Sequence, residues 1–467
     1  MTRSSRNAFR NCSRIWMRRR APKRCFPFRV TLPRRCTTSR RCTTQARATR
    51  CTRGTSEGLA ITSFLVAGLV SCRTQLFGRP RGRHGGWRPD TARRSCPASA
   101  LLSASGEPSA MNVLVMGGTR FNGLALVREL VKHGHRVTAF NRGRTAAHLP
   151  PEVQRVYGDR QDHSQLRESL GARDFDCIFD LSAYTPDDVR SMAEAFDGRC
   201  GHYIFASSTV IYGATSIFPI TEDFPLEPEQ SDYGRNKIEC ERYLVDAYRR
   251  RGFPASIVPF SMVYGPNNFL PDREQRMIMR LLLGRKILIP GRGTTLNQMG
   301  HVEDLARGLR MMMGNPRTFG LRYNLTGKDY YTDEVYVDLH AEALGVEARK
   351  VFVPAEVMDE LWKEIPGSRS VTEVSTPTYS PPAAGAVRVS GASSIFAINR
   401  LAPFIHHWDA NVVFSIDRLR AHTGWEPEYT TRSAIAQTCD WFRQEGLEKK
   451  LEFDFSAEDS LLVQLGQ

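Results

Sequence analysis

From Met111 onward the chain alternates short apolar runs with stretches in which apolar residues recur every three or four positions. A short apolar run closed by turn residues is the pattern of a strand buried on both faces. The three-to-four spacing is that of a helix laying one stripe on a core. Read this way, strands fall at 112–116, 136–140, 153–157, 177–181, 203–207 and 256–258. Helices fall at 124–133, ended by Gly134, and at 231–251. Strands and helices in strict alternation predict an α/β fold, a doubly wound parallel sheet with helices on both faces. The dinucleotide-binding part is expected over 111–266. A smaller C-terminal region begins near Asn267, and substrate is expected in the crevice between it and the carboxyl edge of the sheet.

Two stretches break the pattern. Residues 366–394 are rich in Pro, Ser, Thr, Ala and Gly, cannot bury much apolar area, and are expected to be a disordered insertion in the C-terminal region. Residues 1–110 hold 24 of the 65 Lys and Arg but only three acids, Glu57, Asp90 and Glu107. That leaves 41 basic against 46 acidic residues in the remainder. The formal charge of +16 therefore belongs to the leader, and the body is mildly acidic. The leader's one apolar run, Leu59 to Val70, falls short of the about 20 residues that span a bilayer, so stable membrane insertion is not expected. Its Arg/Ser/Thr-rich, acid-poor flanks have the composition of an organelle transit sequence; the alternative is translation from upstream of a true start at Met111. Seven of the 11 cysteines lie in the leader, and Cys177, Cys200, Cys240 and Cys439 are widely spaced. Neither a metal site nor a disulfide framework follows, and a reducing compartment is expected.

The chemistry lies in two places. Gly117-Gly118-Thr119-Arg120-Phe121-Asn122-Gly123 sits between the first strand and the first helix, the setting in which a glycine-rich turn holds a dinucleotide pyrophosphate. Gly117 allows the tight turn and Gly123 the close packing of helix on strand. Arg120 stands where a three-glycine spacing has its middle glycine, and a guanidinium there can itself contact phosphate. Gly117, Gly118, Arg120, Phe121 and Gly123 are the candidate contacts. The second strand ends in Phe140-Asn141-Arg142-Gly143-Arg144, with no carboxylate for a ribose 2′-hydroxyl. Asn141 and Arg142 suit a 2′-phosphate, which favours NADP over NAD. Asp159, after the third strand, is a candidate adenine-side contact and equally a turn residue or helix cap.

Tyr233 and Lys237 stand four residues apart, on one face of the predicted 231–251 helix, and Ser208 precedes the tyrosine by 25 positions. A phenol is a poor base at neutral pH, so a lysine one turn away and a positively charged oxidised nicotinamide are what would favour its phenolate. Lys237 can also hold the nicotinamide ribose. Ser208 can hydrogen-bond the reacting oxygen.

Together with Ser207-Ser208-Thr209-Val210-Ile211-Tyr212-Gly213, Val263-Tyr264-Gly265-Pro266, Ile289-Pro290-Gly291-Arg292-Gly293, His301-Val302-Glu303-Asp304-Leu305 and Tyr323-Asn324-Leu325, these motifs resemble the extended short-chain dehydrogenase/reductases of the NAD-dependent epimerase/dehydratase family. The resemblance implies a Rossmann-type fold, an NAD or NADP cofactor, a sugar-nucleotide or related carbonyl/hydroxyl substrate, and Ser208, Tyr233 and Lys237 as catalytic residues. Pro259-Phe260 departs from the family's usual Arg-Pro. The turn, Gly293 to His301, and Gly424-Trp425-Glu426-Pro427 resemble the subgroup of chloroplast stem-loop-binding proteins, which implies a plastid location; with Met111 as the start the location is cytoplasmic. That subgroup implies a second function class, RNA binding on a dehydrogenase scaffold. The acidic body opposes it, because phosphate contacts need a basic surface. Arg249-Arg250-Arg251 is a local basic run, most simply a solvated helix end. Arg273, Arg276 and Arg292 are candidates for a substrate phosphate. His301, His406 and His407 read as ordinary histidines, and Met311-Met312-Met313 as core.

Overall fold

The structure is a computed structural model that describes residues 110–145, 148–227, 231–270, 273–363 and 407–467. The leader before Ala110 and the 366–394 insertion lie outside the described residues, as does His406. Six parallel strands form the central sheet: β1 Asn112–Met116, β2 Arg136–Asn141, β3 Gln154–Tyr157, β4 Cys177–Asp180, β5 Tyr203–Ser208 and β6 Ala255–Phe260. Their order is β3-β2-β1-β4-β5-β6. The register runs Asn112 with Arg136, Val113 with Cys177, Ile178 with Tyr203, and Ser208 with Phe260. The order reverses between β1 and β4, so the loops leaving those strands diverge to opposite faces and open a crevice at their carboxyl ends.

Helices cover both faces. α2 His163–Leu170, α3 Pro186–Ala195 and α4 Asp232–Arg251 supply Leu166, Val189, Met192 and Leu244 to one apolar layer with Leu114, Ile178 and Phe205. α1 Phe121–Lys132 packs on the other face with Leu126, Val127 and Leu130. Capping is local: Ser231 accepts from Gly234 N to start α4, and Gly252, left-handed at φ 74°, stops it.

Beyond β6 come β7 Met262–Tyr264, α5 Glu274–Leu282, β8 Lys286–Pro290, β9 Leu296–Asn297, β10 Met299–His301, α6 Val302–Met312, β11 Tyr331–Thr332, α7 Asp333–Leu344, β12 Arg349–Val353 and α8 Ala355–Lys363. After the undescribed stretch follow α9 Asp417–Thr423, α10 Thr431–Gln444 and α11 Ser456–Gln464. β7 with β10, β9 with β11 and β8 with β12 form two-stranded pieces around a separate cluster of α5, α7 and α10 side chains. Part of this stretch returns to the first core. α6 lies along α1, joined by Arg310 Nε to Glu129 Oε1 at 2.8 Å, and residues 322–325 run parallel beside β6. Leu419 and Trp425 bury in the same cluster as Val113 and Leu126, and Met312 joins them as core.

Pro259 sits inside β6, where a proline would ordinarily break a ladder. Its carbonyl accepts from Leu325 N at 3.0 Å, so the side lacking a donor faces the short 322–325 edge and not β5. That placement lets β6 run two residues past the predicted 256–258.

Two buried charge clusters tie the later elements down. Glu458, at the start of α11, accepts from Arg276 Nη2 at 2.8 Å and Arg280 Nη2 at 2.7 Å, both on α5. Asp304, near the start of α6, accepts from Glu428 N and Tyr429 N at 2.8 and 2.9 Å. Trp425 completes that joint. It is fully buried, donates its indole N–H to Asp304 O at 3.1 Å, and packs on Gly308, where a Cβ would come within 3.2 Å of the ring. Trp425→Ala should therefore cost about 3–5 kcal/mol, read as a lower midpoint in urea unfolding. A loss below about 1 kcal/mol would show that 416–425 is not integral to the nucleotide-side core.

Candidate functional site

The turn after β1 is built for backbone approach. Gly117 has φ 87°, and a Cβ there would lie 3.1 Å from Cβ of Ser182, which follows β4 across the crevice. A Cβ on Gly123 would fall 2.1 Å from Gly117 O, so only glycine lets α1 start against the turn. On Gly118 it would meet Val127 and Val115 at 3.0 and 3.2 Å. Arg120 is the N-cap without a side-chain cap bond, and Phe121 opens the helix at φ 35°. The helix thus begins three residues earlier than its apolar spacing predicts. The Arg120 guanidinium lies 5.2 Å over the ring of Phe269, which comes from beyond Asn267.

Two polar atoms here suit a dinucleotide. Asn122 Oδ1, in the first turn of α1, and Asn141 Nδ2, at the end of β2, are buried without a hydrogen-bond partner. Such atoms are costly unless a ligand or water meets them. Asn141 Oδ1 meanwhile accepts from Gly143 N at 2.9 Å, shaping the turn that leaves Arg142 and Arg144 exposed. Asp159 is a turn residue: its Oδ1 accepts from Gln161 N at 3.1 Å, and its N–H donates to Gln165. Asp162, not Asp159, caps α2.

Ser208, Tyr233 and Lys237 come together. Ser208 is the last residue of β5, and its hydroxyl lies close enough to that of Tyr233, in the first turn of α4, to favour the phenolate. Lys237, one turn on, is 3% exposed. Its ammonium donates to Ala183 O at 2.7 Å and Ala206 O at 2.8 Å, and lies 5.6 Å from the Tyr233 ring centre. Burial lowers the lysine to about 8, so at neutral pH it stays mostly charged, held by those two carbonyls. Taken together, the protein's own groups do not favour the phenolate. Burial, then the neighbouring Tyr184, raise Tyr233 above the ordinary tyrosine value, and Ser208 only partly offsets them. The lysine's donors point at backbone carbonyls, and it does not act on the phenol strongly enough to reverse this.

Several residues that no spacing in the sequence marks lie around these three. Tyr184, in the loop after β4, places its ring 5.1 Å from Lys237 Nζ and 6.3 Å from the Tyr233 ring. Glu241, a further turn along α4, is 1% exposed; it accepts from Ser207 and pairs with Arg322. Arg160 forms a two-toothed pair with Asp180 at the end of β4. An aspartate closing the apolar run Cys-Ile-Phe-Asp was the one available sign of this pair. Of the three arginines considered for substrate phosphate, Arg276 is buried against Glu458, and Arg273 donates to Val263 O beside Glu274. Arg292 alone of the three is exposed. His301 caps α6, its Nδ1 accepting from Glu303 N at 3.3 Å, and stacks on Tyr429 at 3.6 Å. His407 pairs with Asp409. Among the described residues no three His, Cys, Asp or Glu side chains converge as metal ligands, and no helix is long and apolar enough to cross a membrane.

Comparison with known proteins agrees with this geometry. Residues 113–326 match the model of the NAD dependent epimerase/dehydratase family. A chloroplast stem-loop binding protein of 41 kDa from Arabidopsis thaliana is 29% identical over 380 residues, covering 78% of this chain and 87% of its own. The 2′-dehydrokanamycin reductase of Streptomyces kanamyceticus is 26% identical over 254 residues, 54% of this chain and 71% of its own. Among solved structures, a dTDP-glucose 4,6-dehydratase from Bacillus anthracis in complex with NAD superposes with a TM-score of 0.55 at 19% identity, over 73% of this chain and 98% of that one. At that identity the likeness speaks for the Rossmann-type fold alone. The stretch that matches the NAD dependent epimerase/dehydratase family, residues 113–326, carries the glycine turn, Ser208, Tyr233 and Lys237.

Proposed function

We propose that this protein is a nicotinamide-dependent oxidoreductase or epimerase acting on a sugar nucleotide or a related carbonyl/hydroxyl substrate. The observation that carries the reading is the Ser208–Tyr233 hydroxyl pair beside a buried, charged Lys237 at the carboxyl edge of the sheet. In it the pyrophosphate lies on Gly117 to Gly123 with Arg120 and Phe121 alongside, and Asn122 is turned to it. Asn141 and Arg142 receive the adenosine ribose, with Asp159 at the adenine side. Two exposed guanidiniums and the unpartnered Asn141 Nδ2 favour a 2′-phosphate, hence NADP over NAD. The cofactor, when bound, supplies or accepts a hydride. The protein's part is to hold and move a proton. Ser208 donates to the substrate oxygen, the Tyr233 hydroxyl gives or takes the proton, and Lys237 holds the nicotinamide ribose. Since burial by the protein raises the phenol, its deprotonation depends on positive charge brought in beside it.

RNA binding is the second reading, and the 29% identical relative named for stem-loop binding is what favours it. Among the described residues many surface arginines are already paired: Arg250 with Asp246, Arg251 with Asp197, Arg242 with Glu239 and Arg235 with Asp232. Such pairs leave less free positive charge for phosphates. A plastid location is supported by the basic leader together with that chloroplast relative.

Calorimetry on the full chain should show NADPH binding more tightly than NADH, with Gly123→Val abolishing both; tighter NADH binding would refute the role given to Arg142. Tyr233→Phe should lower turnover of UDP- or dTDP-hexoses by about 10²–10⁴-fold with dinucleotide affinity nearly unchanged, whereas Lys237→Met should weaken both. Should the wild type instead bind a stem-loop RNA with a steep salt dependence, and neither it nor Tyr233→Phe alter dinucleotide absorbance with any sugar nucleotide, the second reading holds.

A further inference from the structure

A buried charge cluster lies one strand away from Ser208, Tyr233 and Lys237. Asp180 is fully buried, Asp188 is 4% exposed, and Arg160 reaches both from the loop after β3. Its Nη1 and Nη2 donate to the two Asp180 oxygens at 2.7 and 3.0 Å. Nη1 also donates to Ser182 Oγ and Nη2 to Asp188 O, each at 3.0 Å, and Nε lies 3.2 Å from Asp188 Oδ1. Tyr203 OH also donates to Asp180, to Oδ2 at 2.6 Å.

The two carboxylates in turn hold the loop that leaves β4. Asp180 Oδ1 accepts from Ser182 N at 3.1 Å, and Asp188 Oδ2 from Tyr184 N and Thr185 N at 2.8 and 2.9 Å. Between those pinned amides, Ala183 presents its carbonyl to Lys237 Nζ, and Tyr184 lays its ring against Lys237 and Tyr233. A continuous path of short contacts therefore runs from one guanidinium to the lysine and the tyrosine.

We propose that Arg160 is a positioning residue: by fixing Asp180 and Asp188 it sets the 181–185 loop, and through Ala183 O and the Tyr184 ring it places Lys237 for the dinucleotide ribose. The inference rests on the reading of Lys237 given above. Stability alone does not require such a cluster, since well-packed apolar side chains of similar volume serve a buried site as well or better. What a planar fork adds is direction, because it fixes two carboxylates at defined angles, and a lysine cannot reproduce it.

A double-mutant cycle on the full chain, read by fluorescence titration with NADPH, tests this. Arg160→Lys should weaken NADPH binding about tenfold when Lys237 is present, and by less than about twofold in the Lys237→Met background, because the two act in series. Equal losses in both backgrounds would overturn the proposal, leaving Arg160 a general stabiliser of the site. If Arg160→Lys does not fold, as judged by its thermal transition, Asp188→Asn enters the same cycle, with the same expectation and the same refuting result. A wild type that binds neither NADPH nor NADH would remove the dinucleotide reading and this inference together, and is recognised by needing no substitution.

Discussion

Parallel strands cannot be joined by hairpins, so every connection in the central sheet must leave at the carboxyl end and return over a face. In this protein that constraint brings the ends of β1, β2, β4 and β5 to one edge, where Gly117, Asn141, Asp180 and Ser208 lie. The reversal of strand order between β1 and β4 then keeps the loops on either side from crossing, and the glycine turn and Ser182 face each other across the gap. Polar groups gather there because the strands themselves are buried on both sides, and the loop edge is the place where side chains with hydrogen-bonding capacity find partners.

Charge inside the fold is handled by sharing. Glu458 serves two arginines of α5, Arg160 serves two aspartates, Glu241 serves Arg322 and Ser207, and Asp304 serves two backbone amides and Arg307. In each case one member alone would be costly to bury, and a second and third contact offset the lost hydration. These clusters do more than neutralise charge, since each joins elements distant in sequence: α5 to α11, the loop after β3 to β4 and α3, α4 to the edge beside β6, and α6 to the segment before α10.

Lys237 shows how a site side chain depends on such joints. An ammonium at 3% exposure is held by two carbonyls from two different strand ends, so its place depends on the relative position of β4 and β5 as much as on α4. The raised phenol of Tyr233 follows from the same enclosure. Burial sharpens the electrostatic response of both groups to any charge brought beside them, because little water remains to screen it.

What the chain determined by itself is whatever depends on near neighbours along it. Apolar runs and helical spacing located all six sheet strands and the helix carrying Tyr233 and Lys237, because local periodicity records which face is buried. The glycine turn was legible for the same reason: at Gly123 steric exclusion acts over six residues. The four-residue step from Tyr233 to Lys237 implied a shared helix face. Tertiary structure alone decided the rest. Nothing local pairs Arg160 with Asp180 and Asp188, since 20 and 28 residues separate them. Nor does anything local mark Arg276 as the partner of Glu458, and spacing left it a phosphate candidate. The return of α6 and Trp425 to the first core, and the direction in which Lys237 spends its hydrogens, are equally non-local. Each is a choice among partners brought near only by folding, and a one-dimensional pattern carries no record of distance between segments that meet in space.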